Sequence, residues 1–322
     1  MNMLYKPLKM QPVYKDYVWG GRRLKNEYGK ADAPERTAES WELSCLPGNE
    51  SRVAVGEDRG KTLPELARGR EEEFFGRRSG GSCPLLVKLI DARDELSVQV
   101  HPSDANARKE LGERGKAEMW YIVDARPNSF LYLGFSRNIG AEEFRRRALD
   151  GSVCQVLNRV SVGKGDVFYI TPGTVHAIGR GLLVAEVQQS SDTTFRVYDH
   201  DRLGGDGQRR PLHVEEAVRV ADYRPLLPER CRANNITVFP EFTLSEMFSC
   251  AYFRSYRIEL RQSIRLCCDG ESFHHILCVE GAGEIRCGGE SYPLRRGESW
   301  FFPARLGDYE LGGQCTVLLS RL

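Results

Sequence analysis

Three side chains able to ligate a first-row metal stand at strand-like positions in the first two thirds of the chain: His101, Glu118 and His176. In Ser97-Val98-Gln99-Val100-His101-Pro102 polar and apolar residues alternate, so Gln99 and His101 project from one face of a strand. Glu118 opens a second run, Glu118-Met119-Trp120-Tyr121-Ile122-Val123, and His176 follows the Pro172-Gly173 turn at the head of a third. If the three strands are neighbours, two imidazoles and a carboxylate converge with room for a further oxygen donor. An open catalytic Zn²⁺ site needs this arrangement, with each N or O ligand at roughly 2.0–2.2 Å. Mn²⁺, Fe²⁺, Co²⁺ or Ni²⁺ suit the same donors. The competing reading makes each residue a satisfied structural group on its own strand, and spacing alone does not separate the two.

The other histidines point elsewhere. His200 and His213 lie in polar connecting sequence and are expected at the surface, while His274 and His275 are adjacent and must diverge on a strand. No histidine follows Pro303, so the metal is expected in the first half only. Among the ten cysteines, Cys267 and Cys268 are adjacent and would face opposite ways, and neither forms a CxxC pair. Scattered cysteines in a chain of this length read as reduced thiols rather than a disulfide framework.

Strands must position these ligands, and short apolar runs bounded by turn residues dominate the sequence: residues 85–90, 167–170 and 181–185 are examples. They read as mostly antiparallel strands of a barrel or sandwich. Helices are fewer. Thr62-Leu63-Pro64-Glu65 has capping-box spacing, Asn138 to Leu149 is amphipathic around Phe144 and Ala148, Val214 to Val220 predicts a short helix, and a helical insertion is expected from Ser103 to Glu113. The charged runs Glu71-Glu72-Glu73 and Arg145-Arg146-Arg147 read as solvated helix faces. Gly165-Asp166-Val167-Phe168-Tyr169-Ile170-Thr171-Pro172 is echoed by Gly297-Glu298-Ser299-Trp300-Phe301-Phe302-Pro303, a turn–strand–turn unit present in both halves. Arg224-Pro225-Leu226-Leu227-Pro228 interrupts regular structure. The expected organisation is therefore a metal-binding barrel with helical insertions over residues 1–230 and a second, degenerate barrel over 231–322.

Composition narrows the partners. With 46 basic and 45 acidic residues in 322, no global field collects nucleic acid or an anionic membrane. No stretch approaches the roughly 20 apolar residues of a membrane span, and the first residues lack the apolar core of a signal peptide. A cytoplasmic location is expected. No helical stripe or exposed repeat calls for an obligate protein partner.

Several motifs in this order carry more information than any one of them. They are Trp19-Gly20-Gly21, Glu39-Ser40-Trp41-Glu42-Leu43-Ser44, Gln99-Val100-His101-Pro102, Gly115-Lys116-Ala117-Glu118-Met119-Trp120-Tyr121, Pro172-Gly173-Thr174-Val175-His176-Ala177 and Gln188-Gln189-Ser190-Ser191-Asp192-Thr193-Thr194-Phe195-Arg196-Val197-Tyr198-Asp199. Over nearly its whole length the chain resembles the type I mannose-6-phosphate isomerase family in its short bacterial form. The resemblance implies a mainly β fold of two cupin-like (jelly-roll) barrels with a few peripheral helices. It also implies interconversion of mannose 6-phosphate and fructose 6-phosphate, one zinc ion on Gln99, His101, Glu118 and His176, and a catalytic Arg196. Gln99, a neutral amide, either ligates the ion or orients water or substrate. Longer members of the family carry His-Lys-Pro-Glu where this chain has Gly115-Lys116-Ala117-Glu118, so no step assigned to that histidine transfers here.

Aldose–ketose isomerisation moves a proton between C1 and C2, and so needs a base, stabilisation of an oxyanion and a grip on phosphate. On the resemblance, the metal orients the O1/O2 region and Arg196 stabilises the enediolate. Lys116, Glu186 and Asp192 are the candidates for proton transfer. Lys88, an unusual lysine inside an apolar strand, is expected to meet the phosphate with Ser97 and Arg202; the alternative for Lys88 is an ion pair with Asp91 or another carboxylate. Trp19, Glu39 and Trp41 could line the pocket mouth, though core packing suits both tryptophans. Two other functions use the same framework: an Fe²⁺-dependent cupin oxygenase, and a non-catalytic sugar-phosphate-binding cupin.

Overall fold

The structure is a computed structural model that describes residues 5–112, 114–204, 207–228 and 234–322. The boundary expected between 230 and 231, and Glu113 at the end of the expected insertion, lie outside the described residues.

Two antiparallel sheets enclose the first half of the molecule. One has six strands in the order Val167–Ile170, Glu118–Ala125, Leu182–Gln189, Leu85–Ala92, Glu39–Leu43 and Val13–Lys15. The other has five: Phe195–Tyr198, Val98–Val100, His176–Ile178, Phe130–Phe135 and Leu157–Ser161. Ile90, Trp120, Ile122, Phe168 and Val184 of the first meet Leu131, Leu133 and Ile178 of the second in one apolar cluster.

The central strands of the six-stranded sheet are buried on both faces. Every residue of Leu85–Ala92 and of Leu182–Gln189 is buried. Because side chains alternate along a strand, Leu85, Val87 and Leu89 join the core shared with the C-terminal half, whereas Lys88 and Ile90 point into the barrel. Cross-strand register then sets a transverse row on the barrel side: Trp41 opposite Lys88, Lys88 opposite Glu186, Glu186 opposite Trp120, Trp120 opposite Phe168. The outer face of the five-stranded sheet is covered by helices Ala141–Asp150 and Val214–Val220, whose Phe144, Ala148, Val214 and Ala217 pack on Val98, Val100, Phe195 and Val197. Gln99, His101 and Arg196 are left facing inward.

The C-terminal half builds a sheet of ten strands around the long antiparallel pair His274–Cys287 and Gly307–Arg321. The first strand of the chain, Leu8–Gln11, belongs to this sheet, with Leu8 opposite Phe301. The two ends of the sequence are thereby tied together. The repeated unit lands as strands Val167–Ile170 and Ser299–Phe302. The Thr62 capping box is formed with Glu65, and helices at Ala141–Asp150 and Val214–Val220 match their sequence patterns. The insertion is the helix Asp104–Leu111. Cys267 is exposed and Cys268 buried, and the described cysteines are free thiols. Among the described residues no helix is long and apolar enough to cross a membrane.

Candidate metal centre and active site

His101, Glu118 and His176 come together in the barrel, with one ligand atom of each within 4.8 Å of the others, and all three are buried. His176 sits opposite Gln99 in the five-stranded sheet, and Glu118 starts the neighbouring strand of the other sheet. Glu118 Oε1 is 3.3 Å from His176 Nε2 and Oε2 is 3.5 Å from His101 Nε2.

Hydrogen bonds behind the imidazoles aim them. His101 Nδ1 donates to the Thr193 carbonyl at 3.0 Å and His176 Nδ1 to the Thr174 carbonyl at 2.8 Å. With Nδ1 protonated, each Nε2 lone pair points at the shared centre, the outer-shell arrangement of ligating histidines. Burial pushes His176 down to about 4 and lowers His101 as well, Lys116 adding to the effect there, so both rings are neutral at pH 7. Burial pushes Glu118 up to about 7, with Glu186 adding repulsion. Both Glu118 carboxylate oxygens are buried without a hydrogen-bond partner. A buried carboxylate between two neutral nitrogen donors, with Lys116 at 3.3 Å as its nearby cation, fits a divalent cation, whose charge would offset the burial. Gln99 Nε2 lies 3.4 Å from His176 Nε2, and its amide carbonyl reaches the same centre by a flip of the side chain.

The centre opens on a cavity of about 230 Å³ lined by Lys88, Ser97, Gln99, Lys116, Glu186, Asp192 and Arg196 among others. Lys116 Nζ is 3.1 Å from His101 Nε2 and 3.3 Å from Glu118 Oε2. Glu186 accepts the Trp120 indole N–H at 2.8 Å and faces Lys88 at 2.9 Å. Burial pushes the Glu186 carboxyl up, but Lys88 and Lys116 outweigh it and hold it down at about 2. Arg196 lies opposite Gln99 on the next strand, its Nη1 donating to the Pro211 carbonyl at 2.8 Å and its Nε buried without a partner.

Other expected residues fall differently. Lys88 is in the wall but engaged with Glu186, and with Glu39 at 3.7 Å; the carboxylate that meets it is therefore not Asp91, which accepts the Arg23 amide at 2.8 Å. Arg202 is not in the lining and binds Asp199 and the Glu95 carbonyl. Trp19 and Glu39 line the cavity, while Trp41 is fully buried and donates to Glu39 at 2.6 Å. His200 and His213 are half-buried rather than exposed: His200 Nε2 bonds the Leu96 carbonyl, and His213 Nδ1 accepts the Arg196 amide. In the C-terminal half His274 bonds Tyr309 and His275 bonds Ser299, at 2.8 Å each, on opposite faces of their strand.

The comparisons with known proteins agree with this geometry. Residues 7–129 match the model of the phosphomannose isomerase type I catalytic domain, and residues 243–322 that of the mannose-6-phosphate isomerase cupin domain. Mannose-6-phosphate isomerase ManA of Bacillus subtilis (strain 168) is 36% identical over 321 residues, 99% of this chain and 100% of the relative. The chain belongs to the type I phosphomannose isomerase family. Within that family, the mannose-6-phosphate isomerase of Streptococcus mutans is 33% identical over 98% of both chains. The crystal structure of the mannose 6-phosphate isomerase from Bacillus subtilis superposes with a TM-score of 0.90 at 33% identity, covering 99% of this chain and all of that one.

Gly115 has a steric reason to lack a side chain. A Cβ there would lie 2.6 Å from the Ser103 carbonyl carbon and collide with the Asp104 amide. The segment bearing Lys116 is pressed against the start of the Asp104–Leu111 helix, leaving no room for a side chain at Gly115. Sequence reasoning missed Arg210 and Tyr17 in the cavity wall. Neither sits in a patterned segment, and Arg210 is held there by its bidentate contact with Asp199.

Proposed function

We propose that this chain interconverts mannose 6-phosphate and fructose 6-phosphate in the cytoplasm, using one divalent ion, zinc by preference, held by Gln99, His101, Glu118 and His176. The observation that carries the reading is Glu118, buried between two oriented imidazoles with neither oxygen hydrogen-bonded, beside the polar cavity that Gln99 and Lys116 line. When bound, the ion supplies Lewis-acid charge that orients the O1/O2 region of the sugar.

The protein's own groups complete the chemistry. Arg196 places an always-charged guanidinium, with a buried unpartnered Nε, beside Gln99, where an enediolate oxygen needs donors. Glu186 is held ionised and fixed by Trp120 and Lys88, so it can accept a carbon-bound proton without first losing its own. Lys116 faces the same cavity and can carry a proton to or from the sugar oxygens, and Asp192 stands at the exposed end of the wall. Ser97 offers a hydroxyl to the substrate. The free thiols support a reducing compartment.

A coupled assay for fructose 6-phosphate formed from mannose 6-phosphate, run on native, chelated and zinc-restored protein, tests the proposal. Turnover should vanish on chelation and return with zinc. Metal-loaded protein without turnover would sink the reading.

A further inference from the structure

Charge is unevenly divided along the cavity. On one side Lys88 faces two carboxylates, Glu186 at 2.9 Å and Glu39 at 3.7 Å. On another, Arg202 and Arg210 gather on Asp199, a carboxylate only 6% exposed. Both arginines place Nη2 2.6 Å from Asp199 Oδ1, and Arg210 adds Nε to Oδ2 at 2.7 Å. Arg196 shares the field of this group: burial and then Arg210 lower its proton affinity, against the pull of Asp199. Arg202 and Arg210 on one carboxylate leave one positive charge in excess, to which Arg196 adds a second and Asp192, in the same lining, a counter-charge.

The three arginines are not equivalent. Arg202 directs Nη2 to Asp199, Nη1 to the Glu95 carbonyl at 2.5 Å and Nε to the Asp199 carbonyl at 3.3 Å, so all its nitrogens are spent away from the cavity. Arg210 lines the cavity, and its bidentate contact with Asp199 fixes the guanidinium plane. Ser97 and Thr194 line the same cavity.

We propose that Arg210, clamped by Asp199, is the residue that recognises the phosphate of the substrate, in the place that sequence order suggests for Arg202. A phosphate monoester carries about −1.5 to −2 charges at pH 7, opposite in sign to the local excess. A pre-oriented guanidinium binds it with little loss of side-chain freedom. Lys88, already neutralised, serves instead to hold Glu186. This assignment rests on the sugar-phosphate isomerase reading and names the residue that confers its phosphate requirement.

The test uses inorganic phosphate as probe, titrated calorimetrically into the metal-loaded full chain, alongside steady-state kinetics with mannose 6-phosphate. Arg210→Met should weaken phosphate binding about tenfold or more and raise KM by a similar factor, while kcat changes far less. Arg210→Lys, which keeps the charge and loses the fork, should fall between. Arg209→Met, which removes an exposed neighbour paired with Asp201, should bind phosphate like the parent. Parental affinity in Arg210→Met, or affinity lost in Arg202→Met but kept in Arg210→Met, would overturn the proposal. So would a parent protein that binds no phosphate at millimolar concentration. If the parent binds phosphate through Arg210 but turns over no mannose 6-phosphate, the isomerase reading fails and the phosphate site stands. Should Arg210→Met not fold, Arg210→Lys and the phosphate-dependent rise in the parent's melting temperature decide the question.

Discussion

Tyr252, in the C-terminal half, donates its phenol hydroxyl to Asp104 Oδ2 at 2.9 Å. Asp104 passes that contact to both sides of Lys116. Its Oδ1 accepts the Gly115 amide at 2.8 Å and Gln189 Nε2 at 3.2 Å, and Gln189 Oε1 accepts the Ala117 amide at 2.9 Å. The backbone flanking a cavity lysine is therefore held by a residue from the other half of the molecule.

Tyr252→Phe removes one hydrogen bond worth about 0.5–1.5 kcal/mol and leaves the metal ligands untouched. The expected result is a several-fold drop in kcat with bound metal and KM near parental values. Steady-state kinetics with metal analysis of the same preparation checks this; equal loss of metal would place the contact in metal retention instead.

Lys88 and Glu186 form a buried ion pair in the cavity wall, with side chains 5% and 4% exposed. Removing one partner of such a pair strands the other, at a cost of about 3–5 kcal/mol. Lys88→Met should therefore lower the urea midpoint strongly, and Lys88→Met with Glu186→Leu should recover most of the loss. A double variant no more stable than Lys88→Met would show that the pair is not the source of the effect.

His176→Ala and Arg196→Ala should separate binding from rate. The first removes an oriented ligand and is expected to lose metal and activity together. The second removes a donor that touches no ligand-orienting bond, so metal stays while kcat falls about 10²–10³-fold, the usual effect of losing an oxyanion-stabilising donor. Metal content by atomic absorption beside the coupled assay distinguishes them, and full activity in Arg196→Ala would remove it from the mechanism.

Metal affinity should depend on pH through Glu118. The ion needs the carboxylate ionised, and burial pushes that group up to about 7 in the ion-free protein. As pH falls below 7 the ion must displace a proton, so affinity drops by about tenfold per unit, whereas above about 8 it levels off. His176, pushed down to about 4, contributes only in stronger acid. The ion-free protein should show the opposite trend in stability. The folded-state value of Glu118 exceeds the ordinary carboxylate value, so stability from its protonation is present at low pH and lost as pH rises toward 7. Metal titrations from pH 5.5 to 8.5, with melting of the chelated protein in the same buffers, measure both signs.

Local pattern was enough for much of this. Two-residue alternation put Gln99 and His101 on one face, the Pro172-Gly173 turn set His176 at a strand start, and Thr62 with Glu65 announced a helix. These features depend on neighbours within a few residues, where backbone geometry dictates side-chain direction. The order of several such motifs was sufficient to indicate the family. What sequence order could not supply was register between distant strands. Glu186 meets Lys88, and not Asp91, because one antiparallel pairing sets them opposite each other. Arg210 lines the cavity and Arg202 does not, although both donate to the same buried Asp199. Lys116 is tied to Tyr252 because the two halves pack through a sheet whose central strands are buried on both faces. Spacing along the chain encodes which way a side chain points; which partner it meets is decided by packing and hydrogen bonding across tens to hundreds of residues, and exists only in the folded molecule.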